Sequence, residues 1–128
     1  MITYLWIALG SALGGMARFG LAGAASRALG DGFPWGTLLV NVIGSFVIGF
    51  TATLTGPGGR LLAGAEARLF VMAGLCGGFT TFSAFSLQTL VLIREGEMAR
   101  AGANVAASVA LCLISVWLGH LAAAALNR

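Results

Sequence analysis

The chain has 128 residues, 59% of them hydrophobic and only 9% charged, with a net charge of +3 and a mean hydropathy of +0.97. Soluble domains carry about 25% charged residues, so this composition cannot supply a water-facing surface and points to an integral membrane protein. The basic balance comes from seven arginines with no lysine and no basic run, which argues against nucleic acid as a partner; the arginines read as membrane-end anchors.

Four helices are expected, each long enough to cross roughly 30 Å of hydrocarbon. The first covers Ile2 to Leu29 and is interrupted only by Arg18. "MITYLWIALG" lacks the basic start of a signal peptide, so it reads as a retained helix. Within it, Gly10, Gly14 and Arg18 fall at i, i+4 and i+8 on one face, where the glycines permit close approach of another backbone. An arginine inside a membrane faces protein or water, or snorkels to an interface.

"GDGFPW" ends that helix, with Pro34 as a start signal for the next and Trp35 at the interface. The second helix covers Trp35 to Leu54. Asn41, Ser45 and Gly49 share a face there, and the small residues Gly44, Ser45 and Gly49 suggest tight helix contacts. Asn41 reads either as interhelical glue or as an amide donor to an anion. "TGPGGR" breaks the chain again.

The third helix covers Ala65 to Glu95 and has no charge from Leu69 to Ile93. "GLCGG" before "TTF" is poor helix, so an unwound stretch is expected, with freed carbonyls able to meet a cation. After it, Thr81, Phe85 and Gln88 fall at i, i+4 and i+7, and Phe82 and Phe85 at i and i+3. Phenyl edges carry positive potential and could meet an anion; packed core is the plainer reading of the same rings. The fourth helix covers Met98 to Ala125. Asn104, Ser108, Cys112 and Ser115 form one polar stripe along it. His120 near its end reads as an interface residue, with no metal cluster beside it. Cys76 and Cys112 both lie within spans and read as small apolar or lining residues, not a disulfide.

Short loops make successive helices antiparallel. With both termini on one side, that side holds Arg60, Arg68 and Arg128, and the other holds Arg27, Arg94 and Arg100. The positive-inside rule does not choose an orientation when the counts tie. A weakly biased protein and one that inserts both ways, as an antiparallel dimer, both fit. Four short helices leave little wall for a pathway within one chain, and a two-fold interface would add more. Asp31, Glu66, Glu95 and Glu97 sit at span ends or in loops. A proton-coupled exporter needs a titratable group within the membrane, so that class is disfavoured. No nucleophile–base pair or phosphate loop indicates an enzyme.

"GSALGGMARFG", "GTLLVNVIGSFVIG" and above all "GLCGGFTTFSAFS" resemble the Fluc/CrcB fluoride channels, along the whole chain. The resemblance implies an all-α membrane fold of four transmembrane helices with the third broken near its middle, a single domain over residues 1–128, and an antiparallel, dual-topology homodimer. It implies passive, selective export of cytoplasmic fluoride through two pores per dimer, in the cell (inner) membrane among its lipids. Asn41, Thr81, Phe82, Phe85 and Ser108 are the implied fluoride pathway. Arg18, Ser83, Gln88, Asn104 and Cys112 are further candidates for the pathway or its vestibule. Gln88, Asn104 and Cys112 stand where some members carry glutamate, tyrosine and serine. A structural Na⁺ is implied at the dimer centre, held by the backbone carbonyls of Gly77 and Thr80. A small coupled fluoride or cation exporter of four-helix dual topology is the alternative.

Overall fold

The computed structural model describes all residues, Met1–Arg128. It is entirely helical. Helix α1 is Ile2–Leu29 and α2 is Trp35–Leu54. The third span, Ala65–Arg94, is a composite of α3 (Ala65–Leu69), a wide π-helical stretch (Phe70–Cys76), α4 (Gly77–Phe79) and α5 (Phe82–Arg94). Helix α6 is Met98–Leu126. All four spans have the length and apolarity to cross a membrane.

The turns follow from local chemistry. Gly30 closes α1 with φ +82°, its N–H donating to Ser26 O at 2.8 Å; a left-handed residue after a helix is usually glycine because a Cβ would clash there. Pro34 precedes the first residue of α2, and the Phe33 and Trp35 rings lie against each other at 4.7 Å between centroids. The loop after α2 is tied to the end of α6. Arg60 donates its backbone N–H to Asn127 Oδ1 at 2.7 Å and its guanidinium to Leu126 O at 3.1 Å.

The four spans alternate in direction, so first and third are parallel, as are second and fourth. These parallel pairs pack backbone to backbone. A Cβ on Gly10 would lie 2.5 Å from Phe70 O and 2.9 Å from Gly74 Cα, and one on Gly14 would run into Leu75 O. A Cβ on Gly49 would run into Val116 O, and one on Gly119 into Phe46 O. Ser115 adds a hydrogen bond from α6 to Val42 O of α2, at 2.6 Å. Small residues allow this approach, and dispersion between close backbones then holds the helices together where lipid offers no hydrophobic contrast.

Only 19 of the 128 residues are buried within the chain, so most of the apolar surface faces outward, as it can in hydrocarbon or against another protein surface. Leu5, Leu9 and Leu13 of α1 and Val109, Leu113 and Trp117 of α6 are among the exposed side chains.

Candidate functional site

The third span departs from the expectation that its glycines unwind it. Gly74, Gly77 and Gly78 are all helical. Two of them serve packing: a Cβ on Gly74 would lie 3.0 Å from Gly10 Cα, and one on Gly78 would lie 2.9 Å from Ser11 Cα. The helix breaks one turn later. Thr80 (φ −95°, ψ 157°) and Thr81 (φ −154°, ψ 120°) are both extended.

Side chains rewire the backbone at this break. The Thr80 hydroxyl donates to Cys76 O at 2.8 Å, alongside the Thr80 N–H at 3.0 Å. Thr81 Oγ1 caps α5 by accepting from the Ala84 N–H at 3.1 Å, the usual service of a threonine at an N-cap. Asn41, reaching over from α2, grips the Thr81 backbone on both sides. Its Oδ1 accepts from the Thr81 N–H at 2.8 Å and its Nδ2 donates to Thr81 O at 3.1 Å. Hydroxyl and amide side chains thus offer the backbone an alternative to the helical ladder.

The consequence follows by accounting for each partner. In an unbroken helix the Thr81 N–H would bond Gly77 O, and the Ala84 N–H would bond Thr80 O. Both donors are diverted, to Asn41 and to Thr81 Oγ1. The carbonyls of Gly77 and Thr80 are thereby released. Of the two carbonyls between them, Gly78 O is held by the Arg18 Nε of α1, which donates to it at 3.0 Å, while Phe79 O also loses the Ser83 N–H that an unbroken helix would give it. Arg18 therefore neither points into the groove beside the break nor hangs free toward an interface. Its guanidinium also stands at the C-terminal, electronegative end of the part of the third span that precedes the break, where a cation is favoured.

That groove has a volume of about 430 Å³. Its walls include Asn41, Gly44 and Ser45 of α2, Gly77, Thr80 and Thr81 of the third span, Phe82 and Phe85 of α5, and Ser108 and Cys112 of α6. Three spans thus bring together all five residues singled out as a pathway. The N-terminus of α5 faces this space, adding unpaired backbone N–H groups and the positive end of a helix dipole.

The two rings differ in setting. Phe85 is 8% exposed and Phe82 is 77% exposed; their centroids are 5.3 Å apart and their planes meet at 51°. Phe85 is fixed by the chain's own packing, whereas Phe82 presents its ring to whatever lies outside.

The other candidates are dispersed. Ser83 sits beside Thr81, hydroxyl to hydroxyl at 3.3 Å. Cys112 lines the groove and is half-buried. Asn104 does not reach the groove: it is 1% exposed, donates to Thr89 Oγ1 at 3.0 Å and accepts from Ser108 at 3.4 Å. Gln88 shares no space with Thr81 and Phe85, despite its helical spacing. It lines a separate cavity of about 410 Å³ with Asp31, Trp35 and Glu95, and its Oε1 is buried with no partner. Thr81 lies at the N-cap, off the regular helix, so the i, i+4, i+7 face does not extend to it.

Sequence reading missed Met72, took Gly44 only as a small residue that allows tight helix contact, and offered Asn41 as interhelical glue without its target, the Thr81 peptide. Gly44 had a legible signal, since it lies one turn from Asn41. A Cβ there would run into Thr80 Cγ2, so glycine lets α2 reach the break. The two-sided grip by Asn41 had none, because it depends on where the break falls.

The family model for CrcB-like protein, Camphor Resistance (CrcB), matches residues 5–120. The chain belongs to the CrcB family. Three relatives carry the name fluoride-specific ion channel FluC. That of Methylocella silvestris is 63% identical over 127 residues, covering 99% of this chain and 97% of the relative. That of Opitutus terrae is 62% identical, covering 99% and 96%. That of Rhodospirillum rubrum is 55% identical, covering 99% and 98%. This CrcB chain therefore aligns with its relatives through every element that forms the groove.

The released carbonyls also bear on a cation. Gly77 O and Thr80 O are neutral oxygen donors, the type that unwound membrane backbone presents to monovalent cations. These two oxygens of one chain are too few to replace a hydration shell. A two-fold copy would double them.

Proposed function

We propose that this CrcB protein is a passive, fluoride-selective channel that lets cytoplasmic fluoride leave through the cell (inner) membrane and so limits its toxicity. The observation that carries this reading is the groove, which gathers Asn41, Thr81, Phe82, Phe85 and Ser108 beside a helix N-terminus. Relatives of near full-length identity bearing a fluoride-channel name support the choice of ion.

Fluoride is small and holds its water tightly. A path must replace that water with donors while leaving each site weak enough for escape. The remaining Nδ2–H of Asn41 and the Thr81 hydroxyl supply hydrogen bonds, and the Ser108 hydroxyl can join them by turning its one proton away from Asn104 Oδ1. Phe82 and Phe85 supply ring edges, where the quadrupole is positive. Narrowness sets the preference over chloride.

The working unit is an antiparallel homodimer with two pathways. Phe82, 77% exposed in one chain, would then find its surroundings in the second copy, and the apolar outer faces would be shared between that copy and lipid. Equal arginine counts on the two sides suit insertion in both orientations. A structural Na⁺ at the two-fold axis would be held by the Gly77 and Thr80 carbonyls of both chains, adding a fixed positive charge between the two pathways. The coupled-exporter alternative would need an intramembrane carboxylate, and the four acidic residues lie outside the span interiors.

Purified protein in liposomes should pass fluoride far faster than chloride, without any imposed proton gradient. Comparable chloride flux would refute selectivity, and flux that needs a proton gradient would favour the exporter. Replacing sodium with a large organic cation should abolish the flux. Cysteine accessibility at the two termini in native membranes tests the dimer: a single orientation throughout the population would rule out the antiparallel arrangement.

A further inference from the structure

Asn41 belongs to two parts of the site at once. It lines the groove, and it holds the Thr81 N–H at 2.8 Å and the Thr81 carbonyl at 3.1 Å. The Thr81 N–H and the Thr80 C=O are the two ends of one planar, trans peptide unit. In such a unit the N–H and C=O point in opposite directions. Whatever fixes the N–H therefore aims the carbonyl. Asn41 Oδ1 draws the Thr81 N–H toward α2, so the freed Thr80 carbonyl is directed away from α2 and stays there. The Thr80 side chain cannot perform this task, since its hydroxyl is committed to Cys76 O.

The same connection carries polarisation as well as shape. A cation on Thr80 O withdraws electron density across the peptide and makes the Thr81 N–H a stronger donor. The bond to Asn41 Oδ1 strengthens, and that in turn polarises the Asn41 carboxamide. Its Nδ2 carries two hydrogens. One is used on Thr81 O, and the other, directed away from Oδ1, is left for the groove. Chains of hydrogen-bonded amides strengthen one another in this way, by roughly 10–30% per bond.

We propose that Asn41 couples the two ions: occupancy of the carbonyl site by sodium improves the amide donor that meets fluoride, and fluoride in the groove tightens sodium binding. This rests on the reading of Gly77 and Thr80 as a sodium site. Asn41 is thereby a positioning residue for the cation in addition to a wall of the anion path. Linkage makes the effect reciprocal, with the same factor in both directions.

The test is a sodium titration of the melting temperature of the purified full-length protein, in chloride and then in fluoride, with N-methylglucamine as the balancing cation. In the wild type the sodium concentration for half-maximal stabilisation should fall by about 5-fold or more in fluoride, the lower end of ordinary coupling. Asn41→Ala should need more sodium and lose the difference between the two anions. Gly102→Ala, at an open position of α6 outside the groove, should keep wild-type sodium binding in both anions. Should Asn41→Ala not fold, Asn41→Asp keeps the size and the acceptor but removes the Nδ2–H donors, and it should also lose the dependence on fluoride. Equal half-saturation in both anions for the wild type overturns the coupling, as does an asparagine variant that retains the full wild-type difference. A wild type whose melting ignores sodium altogether overturns the sodium reading itself, and the coupling with it.

Discussion

Replacing Gly119 by alanine should separate α6 from α2. The added Cβ would run into Phe46 O and lie 3.0 Å from both Phe46 C and Phe50 N. All three are backbone atoms of a helix interior, so none can swing aside as a flexible side chain would. The methyl needs about 1 Å more room, since carbon–carbon contacts are optimal at roughly 3.5–4.0 Å. A gap of 0.5–1 Å forfeits about a quarter to a half of the dispersion well at each neighbouring contact. Overpacking of this kind costs about 1–3 kcal/mol. Gly102 of the same helix provides the control, because a Cβ there meets nothing within 4 Å. Melting of the two variants in detergent, followed by tryptophan fluorescence, should place Gly119→Ala well below wild type and Gly102→Ala at or above it. Fluoride flux should fall with Gly119→Ala too, since α2 and α6 carry opposite walls of the groove. A Gly119→Ala protein that melts with Gly102→Ala would refute the claim that backbone contact holds this pair.

Phe82→Ile and Phe85→Ile should each cut fluoride flux at least tenfold in liposomes, an effect of about 1.4 kcal/mol on the barrier, while the elution volume on size exclusion stays that of the wild type. Undiminished flux in both would make the rings packing residues only. A bulky methanethiosulfonate should slow fluoride flux through Cys112, which lines the groove half-buried, and Cys112→Ser should conduct and resist the reagent. Arg18→Ala leaves Gly78 O without its donor at membrane depth, a loss of about 1–3 kcal/mol; Arg18→Gln keeps an N–H for that carbonyl and should melt above it. The reverse order would mean that the charge matters more than the hydrogen bond.

The membrane class and the four spans were legible because hydrocarbon imposes length and apolarity on any segment that crosses it. The glycine faces were legible for a related reason: Gly10, Gly14 and Gly49 recur at helical spacing and meet backbone. The position of the break was not. Glycine lowers helix propensity, which drew attention to "GLCGG", yet Gly74 and Gly78 stay helical where they pack against α1. The two threonines break the helix because Asn41, forty residues earlier in the chain, competes for the Thr81 N–H. Gln88 misled in the opposite way. Its helical spacing from Thr81 was sound arithmetic, but Thr81 caps the helix and does not belong to its regular face.

The carbonyl pair at Gly77 and Thr80 has one more consequence. Every amino acid carries the same carbonyl, so a scan that swaps side chains one at a time leaves both oxygens in place. Such a scan would register the residues that bend the chain and pass over the atoms that the bend exposes. What the break exposes is written in conformation, and mutations reveal it only through Asn41, Gly44, Arg18 and the two threonine hydroxyls. Replacing a single peptide link by an ester, which weakens its carbonyl as an acceptor and deletes its N–H, would address the oxygens themselves.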